Sequence, residues 1–149
     1  MQLVIDIGNT VAKMAAFRGE ELVEVAYTSN ETLEELPHFF AKYPFKQVIW
    51  CSVVDLSAIA ASRISTVCVP CLQFTHAVQT PIRNAYSTPE TLGLARLAAV
   101  VGAQQVQPGR DLLVIDAGTC VTYEFVDATG CYFAPPARPS RRRASGGGK

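Results

Sequence analysis

The chain has 149 residues, 49% of them hydrophobic and 17% charged, and its formal net charge is zero. That length suffices for one domain with a proper core, or for one domain and part of another, and the composition is that of a soluble globular protein. The balanced charge gives no pointer to nucleic acid or an anionic membrane, and no run approaches the roughly 18 apolar residues that a membrane helix needs.

The opening residues Met1-Gln2-Leu3-Val4-Ile5-Asp6 put an acid at position six, with no basic segment ahead of an apolar one. This argues against a secretory leader, so a cytoplasmic location is expected. Residues 3–7 form a short β-branched strand that ends at the turn signal Gly8-Asn9-Thr10. Residues 11–17 resume the apolar character, Arg18-Gly19-Glu20-Glu21 makes a second turn, and residues 22–27 alternate as a half-buried strand should. Asn30 is placed to cap a helix over 31–43, which Pro37 interrupts or ends early. A continuous apolar strand follows at 47–53, then a helix over 56–63 capped by Asp55, then a strand at 66–72. Thr88-Pro89-Glu90 opens the strongest helix signal, a capping Thr with Pro at the first helical position, running through Val101 and closing near Gly102. Residues 112–115 and 120–126 read as a strand and its hairpin partner. Three strands at the start, followed by alternating helices and strands, make a mixed α/β pattern and not a strict βαβ repeat.

The character changes at Pro135. Residues 135–149 are almost free of apolar side chains and are expected to be disordered, a non-native tail more than a nucleic-acid arm given the neutral chain before it. Their terminal Gly146-Gly147-Gly148-Lys149 lacks the spacing, the Ser/Thr and the following helix of a P-loop. Cysteines at 51, 68, 71, 120 and 131 are odd in number and fit free thiols better than a disulfide framework. Cys68-Val69-Pro70-Cys71 has the spacing of a metal knuckle with His76 nearby, but no second pair follows, so strand-end packing accounts for it.

The chemistry sits in an internal repeat. Leu3-Val4-Ile5-Asp6-Ile7-Gly8-Asn9-Thr10-Val11 and Leu113-Val114-Ile115-Asp116-Ala117-Gly118-Thr119-Cys120-Val121 share Leu, Val, Ile, Asp, Gly and the final Val, about 110 residues apart. Each copy is an apolar strand, an Asp-x-Gly turn with a small polar residue, and a second strand. Glycine lets backbone amides approach an anion closely, while Asn or Thr adds a compact donor. A carboxylate beside such amides would repel phosphate unless a cation lies between them, which predicts Mg²⁺ or a monovalent ion. Lys13, on the second strand of the first hairpin, supplies positive charge for a transferring phosphoryl group. Two such hairpins facing each other would grip a polyphosphate.

With these motifs in view, the sequence resembles type III pantothenate kinases, of the acetate-kinase/sugar-kinase/Hsp70/actin superfamily. Asp6-Ile7-Gly8-Asn9-Thr10-Val11-Ala12-Lys13 is similar to their first phosphate motif and Asp116-Ala117-Gly118-Thr119-Cys120-Val121-Thr122 to their second. Tyr86-Ser87-Thr88-Pro89-Glu90-Thr91-Leu92-Gly93-Leu94-Ala95-Arg96 is similar to the family's pantothenate motif, Tyr-x-x-Pro-x-x-x-Gly-x-Asp-Arg. The resemblance spans about residues 1–130. It implies an actin-like ATPase (ribonuclease H-like) α/β fold with a mixed sheet ordered βββαβαβα over 1–109. The first hairpin of a second, incomplete domain would follow over 110–133, with the tail at 134–149. It also implies ATP-dependent phosphorylation of pantothenate, the first step of coenzyme A synthesis, by a homodimer.

On this resemblance Asp6, Ile7, Gly8, Asn9, Thr10, Val11, Ala12 and Lys13 would line the ATP phosphates, with Asp6 near Mg²⁺. Thr119 would contact ATP from the other hairpin, and Asp116 would help hold a monovalent cation, K⁺ or NH₄⁺. Tyr86, Gly93, Leu94, Ala95 and Arg96 would bind pantothenate. Two departures bear on activity. Ala95 stands where the family carries the Asp that accepts the substrate hydroxyl proton, and loss of a general base costs about 10²–10⁴ in rate. The family also continues past residue 130 with a Gly-Gly-x-Ile-x-Pro-Gly segment, where this chain has Cys131-Tyr132-Phe133-Ala134-Pro135-Pro136, a break in pattern that suggests a frame shift or truncation. The expectation is therefore an impaired kinase, with a non-catalytic nucleotide-binding regulatory paralogue or an inactive fragment as alternatives.

Overall fold

The computed structural model describes residues 1–117 and 121–133. The chain packs as two compact units, Met1–Val78 and a second from Gln79 onward. The division expected from the resemblance lies at 109/110.

The first unit runs β1 (Gln2–Ile7), β2 (Val11–Arg18), β3 (Glu21–Ser29), α1 (Glu35–Lys42), β4 (Gln47–Ser52), α2 (Ala58–Ser65) and β5 (Cys71–Gln73). Its sheet is ordered β3-β2-β1-β4-β5, with β1–β2 and β2–β3 antiparallel and β1–β4 and β4–β5 parallel. Period-two alternation decides which face is buried. Leu3, Ile5 and Ile7 of β1 and Ala12, Met14 and Ala16 of β2 form a core with Leu36 and Phe39 of α1 and Ala60 of α2. The opposite face carries Gln2, Val4 and Asp6 beside their β2 partners Phe17, Ala15 and Lys13.

Several expectations shift here. The first helix begins at Glu35, so Pro37 lies in its first turn, where a missing N–H costs no intrahelical bond. Asn30 does not cap that helix; its side chain goes to the β1–β2 turn. Ser57, not Asp55, caps α2, its Oγ accepting from the Ala60 N–H at 3.0 Å. The strand expected over 66–72 shrinks to three residues, because the Thr66 and Val67 amides still bond back to the end of α2.

The second unit contains β6 (Arg83–Asn84), α3 (Leu94–Val106), β7 (Leu112–Ala117), β8 (Val121–Val126) and β9 (Cys131–Phe133). Its sheet is ordered β6-β9-β8-β7, antiparallel through β7, β8 and β9, with β6 parallel to β9. The turn before β9 is fixed by Asp127, whose Oδ1 accepts from the Thr129 N–H and Oγ1 and from the Cys131 N–H, and by Gly130 at φ 78°. The expected helix from Thr88 splits in two. Pro89–Thr91 is one 3₁₀ turn, Leu92 is extended and buried, and α3 starts afresh after Gly93 and runs through Gly102. Because α3 packs on β7 and β8, this helix belongs with the second hairpin, and the unit boundary falls before it. Residues 134–149, expected to be disordered, lie outside the described residues.

Candidate functional site

In the first unit the β1–β2 hairpin brings Asp6, Gly8, Asn9, Thr10 and Lys13 to one sheet end. Asp6 closes the open face of β1 and pairs in register with Lys13 of β2, so a carboxylate and an ammonium stand on neighbouring strands. On its other side Asp6 is in register with Cys51 of β4, whose thiol donates to Oδ1 at 3.5 Å. Burial, and then the Asp6 charge, push the Cys51 thiol up to about 12, so it stays a neutral donor. The turn is compact: the Gly8 N–H donates to the Val11 carbonyl at 3.1 Å, and a Cβ on Gly8 would meet that same oxygen at 3.0 Å. A side chain here would press on that oxygen more tightly than an ordinary Cβ contact does. Ile7 and Ala12 turn their side chains into the core, leaving only their backbone for a ligand, whereas Asn9, Thr10, Val11 and Lys13 are exposed.

In the second unit Asp116 ends the β7 face that also carries Leu112 and Val114 and pairs across with Thr122, Glu124 and Val126 of β8. Helix α3 covers this face, and Arg96 in its first turn reaches down to Glu124. The Arg96 Nε lies 2.5 Å from Glu124 Oε1 and Nη2 lies 2.9 Å from Oε2, a two-point pair. Tyr132 of β9 donates its hydroxyl to Glu124 Oε2 at 2.5 Å, and the Tyr86 ring lies 5.8 Å from the Arg96 guanidinium carbon. Glu124 and Tyr132 are fully buried, and the Arg96 side chain is only 13% exposed. Burial works to raise the Glu124 carboxyl, but hydrogen bonds from Arg96 and Tyr132 outweigh it and hold the group below the ordinary carboxylate range. The Glu124 bond holds Arg96 protonated, and burial raises the Tyr132 hydroxyl.

Of the residues singled out from sequence, Asp116, Tyr86 and Gly93 to Arg96 therefore gather on one unit, around a buried ion pair. Ala95 is exposed beside Arg96, with room for a longer side chain. Gly93 supplies the α3 N-terminus through its carbonyl, which accepts from Arg96 and Leu97, and a Cβ there would meet nothing closer than 3.7 Å. Thr119 lies outside the described residues. Sequence reasoning missed Glu124, Tyr132 and Asn30. Glu124 was detectable in principle, as the one charged residue of a half-buried strand, on the face that carries Val126 and so calls for a cation partner.

The repeat is thus structural as well as textual: β7, β8 and β9 retrace β1, β2 and β3. One detail departs from the alignment. Ile7 pairs with Ala12, but Ala117 pairs with Val121, so the second turn is one residue shorter and the two aligned valines face opposite ways. The residue opposite Asp116 is Thr122, and the second hairpin has no counterpart of Lys13 there.

A βββαβαβ unit with sheet order 3-2-1-4-5, followed by a second three-stranded copy of its opening, is the actin-like α/β fold. Within it the chain belongs to the type III pantothenate kinase family, whose family model matches residues 2–134. A type III pantothenate kinase of Phocaeicola vulgatus is 47% identical over 142 residues, covering 95% of this chain and 59% of the relative. One from Bacteroides fragilis is 48% identical over 89% of this chain and 54% of its own length, and one from Porphyromonas gingivalis is 34% identical over 92% and 56%. The chain thus spans little more than half the length of these relatives. Among solved structures, a Ppx/GppA enzyme of Aquifex aeolicus aligns at 13% identity and TM-score 0.42 over 86% of this chain and 48% of that one.

Proposed function

We propose that this chain carries the phosphate- and pantothenate-handling elements of an ATP-dependent kinase that makes 4′-phosphopantothenate, with proton acceptance impaired by Ala95. The observation that carries the reading is the joint presence of two antiparallel strand pairs, each with an Asp at the end of its first strand, and an Arg96 guanidinium fixed on the second. The hairpin amides and Lys13 would hold the ATP phosphates, with Thr119 contributing from the second turn. Tyr86 and the 93–96 segment would hold pantothenate, with Arg96 aimed at its carboxylate in the orientation that Glu124 imposes.

The metal ions that such chemistry uses fit the donors present. Among the described residues no group of three His, Cys, Asp or Glu forms a cage. Mg²⁺ suits this arrangement, because it keeps several waters and takes one or two carboxylates together with phosphate oxygens. Asp6 is the carboxylate so placed. Asp116, exposed and opposite Thr122, offers hard oxygen ligands for K⁺ or NH₄⁺. When bound, the cations would neutralise charge that otherwise sets carboxylate against phosphate; the chain's own groups orient the two substrates. Phosphoryl transfer through a loose transition state leans on positioning and charge stabilisation, so a residue of activity is expected without a base at 95.

Turnover of pantothenate by the chain and by Ala95→Asp tests this. The exposed site accepts Asp without strain, and a gain of about 10²–10⁴ in ADP release is expected. Tight binding of Mg·ATP and pantothenate with no gain from Ala95→Asp would favour the second reading, a non-catalytic nucleotide-binding paralogue, which Ala95 itself supports. Binding of neither ligand would sink both.

A further inference from the structure

The Asn30 side-chain amide, just past the end of β3, donates twice to the β1–β2 turn. Its Nδ2 donates to the Gly8 carbonyl and to the Asn9 carbonyl, both at 3.0 Å. A peptide unit is planar and trans, so its C=O and N–H point in opposite directions. Holding the Gly8 carbonyl toward Asn30 therefore turns the Asn9 N–H away from it, and holding the Asn9 carbonyl does the same to the Thr10 N–H. The Gly8 N–H is already committed to Val11. What remains on the side remote from Asn30 is a pair of amides, Asn9 and Thr10, with the two carbonyl dipoles that would repel an anion gathered behind them. Both residues are exposed, and among the described residues neither amide has a protein partner.

We propose that Asn30 is a positioning residue for phosphate binding: it sorts the turn's dipoles so that amides face the anion and carbonyls face the protein. The inference rests on the kinase reading for the identity of the anion, but its structural part stands alone. Without Asn30 each of these peptide units is free to rotate, and the turn presents oxygen as readily as N–H. Asn30→Asp keeps the shape, removes both donors and sets a carboxylate against two carbonyl oxygens. Asn30→Ala removes the donors alone.

The test measures ¹⁵N order parameters of the turn and Mg·ATP affinity in the chain and both variants. In the unmutated chain the Asn9 and Thr10 amides should be as rigid as the strands, near about 0.85, and should fall below about 0.6 in both variants. The dissociation constant for Mg·ATP should rise about tenfold in Asn30→Ala, as loss of two hydrogen bonds predicts, and further in Asn30→Asp. Order parameters or affinities that match the unmutated chain would overturn the assignment. If the unmutated chain binds neither Mg·ATP nor pyrophosphate, the kinase reading fails by itself, and the order parameters decide the role of Asn30. Should either variant lose its fold, Asn30→Ser keeps one donor and is expected to show a smaller loss of the same kind; no loss there would overturn the role.

Discussion

Leu3 and Leu113 occupy the same place in two copies of one hairpin, as do Ile5 and Ile115, yet their fates are opposite. Leu3 is 0% and Ile5 1% exposed, whereas Leu113 is 62% and Ile115 56% exposed. The cause is which face of each sheet receives helices. In the first unit α1 and α2 cover the face turned away from Asp6, so the alternating aliphatics make the core. In the second unit α3 covers the face that bears Asp116, and that face carries Glu124 where the first hairpin has Ala15. One sheet is held by apolar burial, while under the helix of the other a charged network lies among the buried Leu97, Val100 and Val126. A strand sequence thus specifies two faces but not which of them will be covered.

Breaking the network should give the largest effect. Glu124→Ala takes the carboxylate away from the largely buried Arg96 guanidinium, and breaking such a pair costs about 3–5 kcal/mol. Hydrogen exchange resolved by peptide should show the loss across β7, β8 and α3. Protection unchanged there would mean that the pair is solvated in solution. Next comes the aliphatic comparison. Leu3→Ala should cost about 2–5 kcal/mol in urea unfolding, while Leu113→Ala, its structural twin, should stay within about 0.5 kcal/mol. Equal costs would show that the Leu113 face is covered in solution.

Much of this was legible in the sequence. Apolar and β-branched runs placed β1, β2, β4, β7 and β8 to within two residues, alternation placed β3 as closely, and the repeated Asp-x-Gly announced two hairpins with an Asp at the same strand position. What escaped notice has identifiable physical causes. The two- and three-residue strands β6 and β9 are too short for a period to register; the Asp127 turn sets β9 beside β8, and β6 joins β9 through backbone bonds 47 residues apart in sequence. The Thr88-Pro89-Glu90 signal is a sound helix start, but burial of Leu92 pulls the chain out of it and α3 begins one turn later. Asn30 satisfies the rule for a helix cap equally well as it satisfies the turn it serves; only the fold chooses between those partners. Glu124 stands out as an acid in an otherwise uncharged strand, but which cation it meets, 28 residues earlier, is decided only by the fold.

The charged network also predicts a pH dependence centred on a buried group. The Glu124 carboxyl is depressed in the folded chain, so its contribution is fully present above the ordinary glutamate value, 4.5, and is lost as pH falls through the native one. Glu124→Gln removes the charge while keeping the shape. At neutral pH it should be less stable than the unmutated chain by about 1.5–3 kcal/mol, the worth of a hydrogen bond to a charged group. That gap should close on acidification below the ordinary value. A gap that persisted undiminished at low pH would mean that packing, and not charge, makes the difference.

The smallest expected effect tests the first unit's local order. Ser57 both caps α2, through Ala60, and donates its hydroxyl to the Glu31 carbonyl in the β3–α1 connection. Ser57→Ala removes both bonds and should cost about 1 kcal/mol. α3 is the comparison, since Gly93 opens it with no side-chain bond. A helix that packs over a buried ion pair has its start fixed by Arg96 itself, whereas α2 contributes only Ala60 to the fully buried core and depends on its cap. Gly93→Ser, which adds a capping hydroxyl where space exists, should therefore stabilise α3 by less than Ser57→Ala destabilises α2; the reverse order would show that α3 frays in solution and that the Arg96–Glu124 pair does not hold its first turn.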